Sequence, residues 1–400
     1  MRRPSIALVV VGDLARSPRM VNHARELARG GSRVLLIGYR EREFDVPEGV
    51  ELHALRVLKW RGTKASIGWF IAASLRLGWG FFELLAVLLR RRPAAILAQN
   101  PPSFPTLAAI WIAARILRVP FMVDWHNYGY TMLGLRLGAR HPLTRLASRY
   151  EAWTGRRAQS HFCVSETMQA DLDERFHIPA TVLYDRPLHQ NPEAARVLDL
   201  PLPLVTAQYN SARLTHFENA TIIAICPSGW TADEDMELLL DSLESLSTRR
   251  FEFHLTGDGP RRREMEPRIA RLRGAGLRIY TGYLSDQDYR ALIQRAAIGL
   301  SLHRSSSGLD LPMKIVDLFS AGVPVCALDY GKTLREQVSD GETGFLFHTA
   351  GELTGILSQV AMNPALLVAM REHIRGRWTT TWTDEWRRVA GPVFGGIHAA

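Results

Sequence analysis

Cysteine is scarce in this chain of 400 residues, which contains three: Cys163, Cys226 and Cys326. Each lies in an apolar, strand-like run, and no two have the spacing of a zinc site. An odd number of thiols also argues against a disulfide framework. We therefore expect buried thiols, a reducing compartment and no metal site.

A long apolar run free of charge is also missing. The N-terminal run MRRPSIALVVVGD is too short for a signal peptide or a spanning helix, and it predicts the first strand of a parallel sheet. The most apolar stretch, residues 66–89, is interrupted by Arg76 and Glu83 and is followed by arginines at 90–92. This pattern fits either a buried helix or a helix lying in a membrane interface.

The interfacial alternative would place aromatic side chains at the level of the lipid headgroups and the closing arginines against lipid phosphates. The aromatic residues concerned are Trp69, Phe70, Trp79, Phe81 and Phe82. On this pattern we predict attachment to a membrane surface without a spanning helix.

Basic residues outnumber acidic ones, 49 Lys+Arg against 40 Asp+Glu, which gives a net charge of +9. Such a balance suits an acidic partner: nucleic acid, a phosphorylated substrate or an anionic membrane. The arginine pairs are scattered and no segment has the pattern of a nucleic-acid module, so we expect no nucleic acid. A hydrophobic content of 46% over 400 residues predicts a globular protein with two domains.

Buried strands alternate with amphipathic helices through both halves of the chain. Residues 6–12 form an all-apolar strand, the turn GDLARSPRM follows, a helix ends at residues 30–31, and RVLLIGY is the next strand. This is a βαβ unit, and its repetition predicts an α/β fold with two parallel sheets. The first turn lacks the G-x-G-x-x-G of a dinucleotide site.

One stretch, residues 305–325 or SSSGLDLPMKIVDLFSAGVPV, combines a Ser/Gly turn after a buried strand with a helix from Pro312 to Ala321. Such a turn and helix N-terminus present free backbone N–H groups to one point, which suits an anion. Lys314 adds a charge for a phosphate, and Asp317 shares its helix face and can accept sugar hydroxyls. The competing interpretation is an ordinary strand–helix unit with a solvated Lys–Asp pair.

A second stretch, DWHNYGY, follows the predicted strand 121–124, at the strand end where open α/β sheets bind ligands. Asp124 and His126 lie two residues apart and therefore on one side of an extended chain. A carboxylate beside an imidazole suits a general base, although such residues are also common in structural roles. Asp13 follows the first strand in the same way. We rank His126 first as the base, Asp13 second and Asp124 third.

The strings GDLARSPRM, QNPPS, DWHNYGY, VLYDRP and SSSGLDLPMK resemble, in this order, segments of the chitobiosyldiphosphodolichol β-mannosyltransferases. The resemblance covers roughly residues 6–360. It implies the GT-B architecture, with two Rossmann-like β/α/β domains facing each other across a cleft. The implied parts are an acceptor-binding domain (1–200), a nucleotide-sugar-binding domain (201–375) and a C-terminal helix (376–400) that crosses back to the first domain.

The resemblance implies an inverting transfer of mannose from GDP-mannose to a lipid-pyrophosphate-linked glycan, on the cytoplasmic face of a membrane. It implies no tightly bound cofactor, and any dependence on Mg²⁺ would come without a dedicated protein site. Besides Lys314 and Asp317, the implied donor-binding residues are Ser228, Gly257, Gly259, His303, Ser307, Gly308, Leu309 and Asp310. The implied acceptor- or pyrophosphate-binding residues are Gly12, Arg16, Ser17, Arg19, Asn127 and Tyr128.

Two other functions stay open. A GT-B transferase could use UDP-glucose or UDP-GlcNAc, and a GT-B module without activity could scaffold a membrane glycosyltransferase complex. Intact Lys314, Asp317, Asp124 and His126 disfavour the scaffold. Arg19 either pairs with a pyrophosphate or only covers apolar surface. Eukaryotic members of the family carry an N-terminal membrane anchor, so we expect a prokaryotic or otherwise unanchored relative.

Overall fold

The structure is a computed structural model that describes residues 4–56, 67–188 and 221–399. The chain divides into two compact units, one of Met1–Asp185 with Trp382–Ala400 and the other of Arg186–Thr381. The predicted domain boundary at residue 200 lies outside the described residues. The C-terminal segment belongs to the first unit from Trp382 onward.

The first unit is built on a seven-stranded parallel sheet in the order β3-β2-β1-β4-β5-β6-β7. Its strands are β1 (Ser5–Asp13), β2 (Arg33–Tyr39), β3 (Val50–Ala54), β4 (Ala95–Asn100), β5 (Phe121–Trp125), β6 (Ser160–Cys163) and β7 (Thr181–Val182). Helices cover both faces of such a sheet, which explains why residues 6–10 of β1 are apolar and at most 1% exposed. The chain order reverses between β1 and β4, so ligands are expected at the carboxyl ends of these strands.

The helices of the first unit follow the strands in chain order, with two more from the C-terminus. They are α1 (Pro18–Arg29), α2 (Ile67–Arg91), α3 (Thr106–Leu117), α4 (Gly129–Leu137), α5 (Pro142–Gly155), α6 (Glu166–Phe176), α14 (Trp382–Val389) and α15 (Gly391–Ala399), with a 3₁₀ turn at Leu14–Arg16. Pro18 opens α1, where its missing N–H costs nothing. The apolar stretch predicted at 66–89 is a single helix, α2, which packs against α3.

The second unit holds a six-stranded parallel sheet in the order β10-β9-β8-β11-β12-β13. Its strands are β8 (Ile222–Pro227), β9 (Phe251–Thr256), β10 (Arg278–Gly282), β11 (Ile298–Ser301), β12 (Val325–Leu328) and β13 (Gly344–Phe347). Neighbouring residues of β8 enter different apolar clusters, Ile222 and Ala224 one of them and Ile223 and Ile225 the other, so both faces are covered. Here the chain order reverses between β8 and β11.

The helices of the second unit are α7 (Met236–Glu244), α8 (Arg262–Gly274), α9 (Asp286–Arg295), α10 (Met313–Ser320), α11 (Lys332–Gln337), α12 (Ala350–Met362) and α13 (Ala365–Arg377). The helix predicted from Pro312 to Ala321 is one residue shorter at each end, because these two residues take the N-cap and C-cap positions.

Two further predictions can be compared with the structure. Both parallel sheets are confirmed, and the three cysteines are buried and free. Within the described residues, no single helix has the length and hydropathy to cross a membrane. One pair, Ala350–Met362 with Ala365–Ile397, meets those criteria only when it is taken together across a bend of 101°.

Candidate active site

The loop after β5 carries His126 and is held by a buried carboxylate. Glu151 of α5 accepts the backbone N–H groups of Gly129 at 2.9 Å and Tyr130 at 3.1 Å, at the N-terminus of α4. Asn100, at the end of β4, donates to the same carboxylate at 2.5 Å. Burial raises the pKa of Glu151, while these donors oppose the rise. Because helix N-termini favour a carboxylate, Glu151 fixes the loop between β5 and α4.

Asp124 in β5 is the centre of a buried charge network. Arg19 of α1 contacts both carboxylate oxygens, with Nε 2.8 Å from Oδ2 and Nη2 2.9 Å from Oδ1. Two imidazoles complete the set: Nε2 of His23 lies 3.2 Å and Nε2 of His126 lies 2.9 Å from Oδ2. Arg19 also pairs with Asp185 at 3.0 Å. The carboxylate of Asp124 is therefore surrounded by donors and has no exposure to solvent.

The positions of the imidazole protons follow from these contacts. Trp386 of α14 donates its indole N–H to Nδ1 of His23 at 2.9 Å, so the proton of His23 lies on Nε2 and points at Asp124. Nε2 of His126 faces the same ionised carboxylate, which can only accept a hydrogen bond, so Nε2 carries the proton. The free lone pair of His126 therefore lies at Nδ1, on a ring that is partly exposed.

The charges around Asp124 keep it ionised. Burial alone would raise the pKa of this carboxyl group, but the charge of Arg19 and the hydrogen bonds from both histidines hold the pKa well below its usual range. Burial also lowers the pKa of His23, so this ring stays neutral. Asp124 is thus a poor proton acceptor, and its contact with Nε2 orients His126 instead.

Three buried oxygen atoms at the carboxyl ends of β1 and β4 have no hydrogen-bond partner among the described residues. They are Oδ2 of Asp13, Oε1 of Gln99 and Oδ1 of Asn100. Asp13 uses its other oxygen to accept the N–H groups of Ala15 at 3.4 Å and Glu41 at 3.3 Å. Buried polar groups are normally paired, and all three atoms are acceptors. Asn100 is fully buried, whereas Asp13 and Gln99 are partly exposed, so hydroxyl groups of a ligand can approach only the latter two.

In the second unit, the turn after β11 is held together by its own side chains. Ser305 accepts the N–H of Gly308 at 2.7 Å and donates to Asp310, and Ser307 accepts the N–H of Leu309 at 3.1 Å. Gly308 has φ +78°, which glycine adopts without strain. Among the described residues no side chain caps the following helix, α10. The backbone N–H groups of its first turn can therefore bind an anion.

His303 lies beside this turn. Its Nε2 is 2.9 Å from Oδ2 of Asp310, and its Nδ1 is 3.7 Å from Oδ2 of Asp233. Burial lowers the pKa of His303, but the two carboxylates outweigh burial and raise the pKa above its ordinary value. The imidazole can therefore carry a positive charge near neutral pH, which suits a diphosphate.

Lys314, in the first turn of α10, forms an ion pair with Glu234. Glu234 is 6% exposed and also accepts a hydrogen bond from the hydroxyl of Ser228, which in turn accepts the N–H of Trp230 at 2.9 Å. Ser228 follows β8, so this chain of contacts links the end of β8 to the start of α10. The side chain of Lys314 is 35% exposed. Glu234 therefore fixes the position of its ammonium group, and the group stays accessible to solvent.

The loop after β9 lies close to Ser228. A Cβ at Gly257 would lie 1.9 Å from the carbonyl oxygen of Ser228, and a Cβ at Gly259 would lie 1.9 Å from that of Gly229. Only glycine permits such a close approach of two backbones. Both glycines therefore support the position of Ser228.

Replacing Gly257 with alanine should destabilise the second unit. The new Cβ would overlap the backbone of Ser228, and φ at this position is +101°, which together cost roughly 1–3 kcal/mol. Chemical denaturation measures the loss. Gly282→Ala is the matched control, because its Cβ would meet no atom of the described residues within 4 Å. An equal loss in the control would contradict the explanation.

Asp317 lies one turn beyond Lys314 on α10, and its side chain is exposed. One of its carboxylate oxygens is 3.5 Å from the hydroxyl of Tyr289 in α9. An exposed carboxylate at this point can accept hydroxyl groups of a ligand whose phosphates contact Lys314.

Two family models match the chain in succession. The model of the Glycosyl transferase 4-like domain matches residues 17–184, and that of Glycosyl transferases group 1 matches residues 220–362. The chitobiosyldiphosphodolichol beta-mannosyltransferase of Mus musculus is 32% identical, and the match covers 98% of this chain and 89% of the relative. The chain belongs to the chitobiosyldiphosphodolichol beta-mannosyltransferase family.

Other similarities agree with membership of this mannosyltransferase family. The UDP-glycosyltransferase TURAN of Arabidopsis thaliana is 32% identical, with 96% of each chain covered. Sucrose-phosphate synthase from Thermosynechococcus elongatus has a TM-score of 0.72 at 15% identity, over 99% of this chain and 100% of that chain. The similarity to sucrose-phosphate synthase concerns the fold alone. The predicted GT-B fold and the predicted glycosyltransferase class are confirmed.

The fold encloses two of the residues predicted to bind the acceptor or its pyrophosphate. Arg19 is 2% exposed and donates to Asp124 and Asp185, so it neither faces solvent nor merely covers apolar surface. Tyr128 is fully buried, and its hydroxyl donates to Asp171 at 2.8 Å. Local sequence suggested accessible side chains at both positions, but the tertiary fold encloses them.

The other residues predicted for this site surround the end of β1 and the loop after β5. Gly12 and Asn127 are partly exposed, and Asn127 accepts the next backbone N–H at 2.7 Å. Ser17 is buried, with its hydroxyl 3.5 Å from the carbonyl oxygen of Asp13. Arg16 is exposed at the end of the 3₁₀ turn, where its charge can reach a ligand.

Sequence reasoning assigned no role to several residues of the site, among them His23, Glu151 and Glu234. The acidic run TADEDM marks the neighbourhood of Glu234 but does not show which carboxylate faces Lys314. The two partners are 80 positions apart, and His23 is 101 positions from Asp124. Only the tertiary fold brings such pairs together.

Proposed function

We propose that this chain is an inverting β-mannosyltransferase that moves mannose from GDP-mannose to a lipid-pyrophosphate-linked glycan. The name of the Mus musculus relative, chitobiosyldiphosphodolichol beta-mannosyltransferase, supports both the sugar and the class of acceptor. The observation that carries the proposal is the Ser228–Glu234–Lys314 chain beside the uncapped start of α10, as seen in the described residues.

The second unit suits a nucleoside diphosphate as the leaving group. Negative charge builds on the diphosphate as the bond between C1 of the sugar and the phosphate oxygen breaks. Lys314, protonated His303 and the first backbone N–H groups of α10 supply the opposing charge. Because Glu234 already holds the ammonium group of Lys314, little reorganisation is needed during the reaction.

The first unit suits the acceptor. The acceptor hydroxyl forms the new bond to C1 and loses its proton to Nδ1 of His126, while GDP leaves with the electron pair of the broken bond. Asp124 stabilises the imidazolium that results. Asp13 and Gln99, which are partly exposed at the ends of β1 and β4, bind hydroxyl groups of the glycan. A single displacement of this kind inverts the configuration at C1.

Asp13 is the second candidate for the base. Its Oδ2 has no partner among the described residues, so a lone pair is free to accept a proton. A carboxylate is ordinarily a weaker base than an imidazole. His126 therefore keeps the first place.

We propose that no cofactor is tightly bound and that Mg²⁺, where it stimulates transfer, acts without a dedicated protein site. Within the part of the chain that the structure describes, no group of three or more His, Cys, Asp or Glu side chains could hold a metal ion. The basic groups around α10 supply the charge that the leaving diphosphate requires.

We also propose that the protein attaches peripherally to the cytoplasmic face of a membrane, since its proposed acceptor is anchored there. Trp79 and Phe82 of α2 are exposed, Phe81 is partly exposed, and Arg90 and Arg91 close the helix. These features suit an interfacial helix. Membrane contacts were also predicted for Trp69 and Phe70. The side chains of these two residues lie outside the described part of the structure.

A second donor class has one observation in its favour. The Arabidopsis thaliana relative, which matches along nearly the whole chain, is named a UDP-glycosyltransferase. UDP-glucose and UDP-GlcNAc are therefore the competing donors.

Nucleotide release distinguishes these functions. The purified protein is incubated with GDP-mannose, UDP-glucose or UDP-GlcNAc, with and without lipid-pyrophosphate-linked chitobiose. We expect release of GDP alone, and only when the acceptor is present. Release of UDP would establish the competing donor, and no release from any donor would favour a scaffold without activity.

Replacing Asp317 with alanine should weaken the binding of GDP about tenfold or more. The lost contact is a charge-assisted hydrogen bond to the ribose, which contributes about 1.5–3 kcal/mol. Isothermal titration calorimetry measures the change. Asp173→Ala, which removes an exposed carboxylate from α6, is the control and should bind GDP normally. Unchanged affinity in the Asp317→Ala protein would remove the ribose role.

A further inference from the structure

Charge is unevenly distributed over the first unit. Between residues 101 and 165 the sequence contains eight arginines, no lysine and two acidic residues. Both acidic residues, Asp124 and Glu151, are fully buried, so the exposed charge of Asp, Glu, Lys and Arg in this region is entirely positive. The arginines are Arg115, Arg118, Arg136, Arg140, Arg145, Arg149, Arg156 and Arg157.

None of these eight arginines has an ion pair among the described residues, and no acidic side chain is exposed between them. In the second unit, by contrast, Arg261 pairs with Glu237 and Arg268 pairs with Asp241. A concentration of unpaired positive charge creates a field that attracts an anionic partner.

Large apolar side chains are exposed among these arginines. Leu143 and Leu146 of α5 are 54% and 61% exposed, and Leu135 of the neighbouring helix α4 is 67% exposed. Trp153, which is also exposed, lies two turns beyond Leu146 on α5. Because residues three, four and seven positions apart share a helix face, these side chains of α5 form one apolar stripe.

The arginines of α5 form a second stripe beside the apolar one. Arg145 and Arg149 are four positions apart and both are exposed. Successive residues of a helix are 100° apart around its axis. The two arginines therefore project away from the packed face of α5, on the side next to Leu146. Such a surface, with apolar side chains bordered by long cationic ones, is typical of a helix that rests in a membrane interface.

We propose that the arginine–leucine face of α4 and α5 docks the protein on a bilayer that contains anionic lipids. The inference deepens the proposed function and rests on it for the lipid-linked acceptor. Glu151 of α5 holds the first residue of α4, Gly129, which follows three positions after His126. The helix pair that contacts the bilayer is therefore the same pair that anchors the loop of the candidate base.

Two other partners fit this face less well. In a two-fold dimer through this face, the same arginines would meet each other as like charges. A nucleic acid would satisfy the arginines through its phosphates but would offer little apolar surface to the exposed leucines. Lipid headgroups and acyl chains complement both kinds of side chain at once.

Sedimentation with vesicles tests the proposal on the full chain. One set of vesicles contains phosphatidylcholine alone, and the other also contains phosphatidylglycerol. We expect binding that is much stronger to the second set and is weakened by salt. At about fivefold per arginine, Arg145→Gln with Arg149→Gln should lower the affinity roughly 30-fold. Leu143→Ser with Leu146→Ser should also weaken binding, including at high salt.

The matched control removes the same charge elsewhere. Arg263 and Arg271 are exposed on α8 of the second unit, and their replacement by glutamine should leave vesicle binding unchanged. An equal loss in this control would show that only net charge matters and would overturn the proposal. Normal vesicle binding by both α5 variants would also overturn the proposal. So would the finding that the unaltered protein is a dimer that dissociates when Arg145 and Arg149 are replaced.

Activity is measured separately, so that the two proposals can fail independently. The Arg145→Gln, Arg149→Gln protein should release GDP at the normal rate with an acceptor dispersed in detergent. If the unaltered protein binds vesicles as expected but transfers no mannose, the proposed function fails while the docking face stands. If transfer occurs but neither α5 pair affects vesicle binding, the docking face is wrong.

Discussion

Replacing His126 with alanine is expected to lower kcat by roughly 10²–10⁴-fold while GDP binds with normal affinity. Nε2 of this histidine donates to Asp124 at 2.9 Å, so its basic lone pair at Nδ1 is free to take the proton of the acceptor hydroxyl. Alanine removes the proton acceptor and leaves the nucleotide contacts of the second unit in place. Steady-state kinetics and calorimetry with GDP measure the two quantities.

His373→Ala is the control for this variant, because it removes an exposed histidine from α13. A kcat close to normal in the His126→Ala protein would transfer the role of the base to Asp13. The next variant is then Asp13→Asn, which keeps the shape of the side chain and removes its basicity. A large loss of GDP affinity in the His126→Ala protein would instead contradict the separation of base and donor contacts.

Replacing Asp124 with alanine is expected to lower the free energy of unfolding by roughly 3–5 kcal/mol. The carboxylate and its partner Arg19 are 0% and 2% exposed, and removal of one charge leaves the other buried with fewer contacts. Asp185 still contacts Arg19 and His126 loses its orienting group, so activity should fall together with stability. Urea denaturation measures the change.

The triple variant Arg19→Met, Asp124→Leu, Asp185→Asn removes every charge of the network, including the second partner of Arg19, and should recover part of the lost stability. Recovery distinguishes a broken buried charge network from simple loss of packing volume. If the Asp124→Ala protein unfolds within about 1 kcal/mol of the unaltered protein, as is usual for exposed ion pairs, the network around Asp124 does not have the strength inferred from its burial.

Local sequence was sufficient for the parts of the fold whose geometry is local. The turn before Pro312 brings Gly308 and the start of a helix together within a few residues, so the order of residues alone places Lys314 in the first turn of a helix that follows a Ser/Gly loop. Apolar strands and helix periodicity likewise predicted both parallel sheets. These features depend on neighbours along the chain.

Arg19 shows why the rest could not be predicted. Near the start of a helix its guanidinium was expected at the surface, yet its two acidic partners lie 105 and 166 positions away and enclose it. The hydrogen bond from Trp386 to His23 spans 363 positions. Whether a polar side chain is a buried partner or an accessible ligand contact depends on such distant contacts, which no short motif encodes.

The anomeric configuration of the product tests the proposed reaction most directly. Purified protein is given GDP-mannose and a lipid-pyrophosphate-linked chitobiose, and the product is analysed by mass spectrometry and by digestion with β- and α-mannosidases. We predict one added hexose that β-mannosidase removes and α-mannosidase does not. A product that only α-mannosidase cleaves, or an acceptor left without any added sugar, would contradict an inverting β-mannosyl transfer.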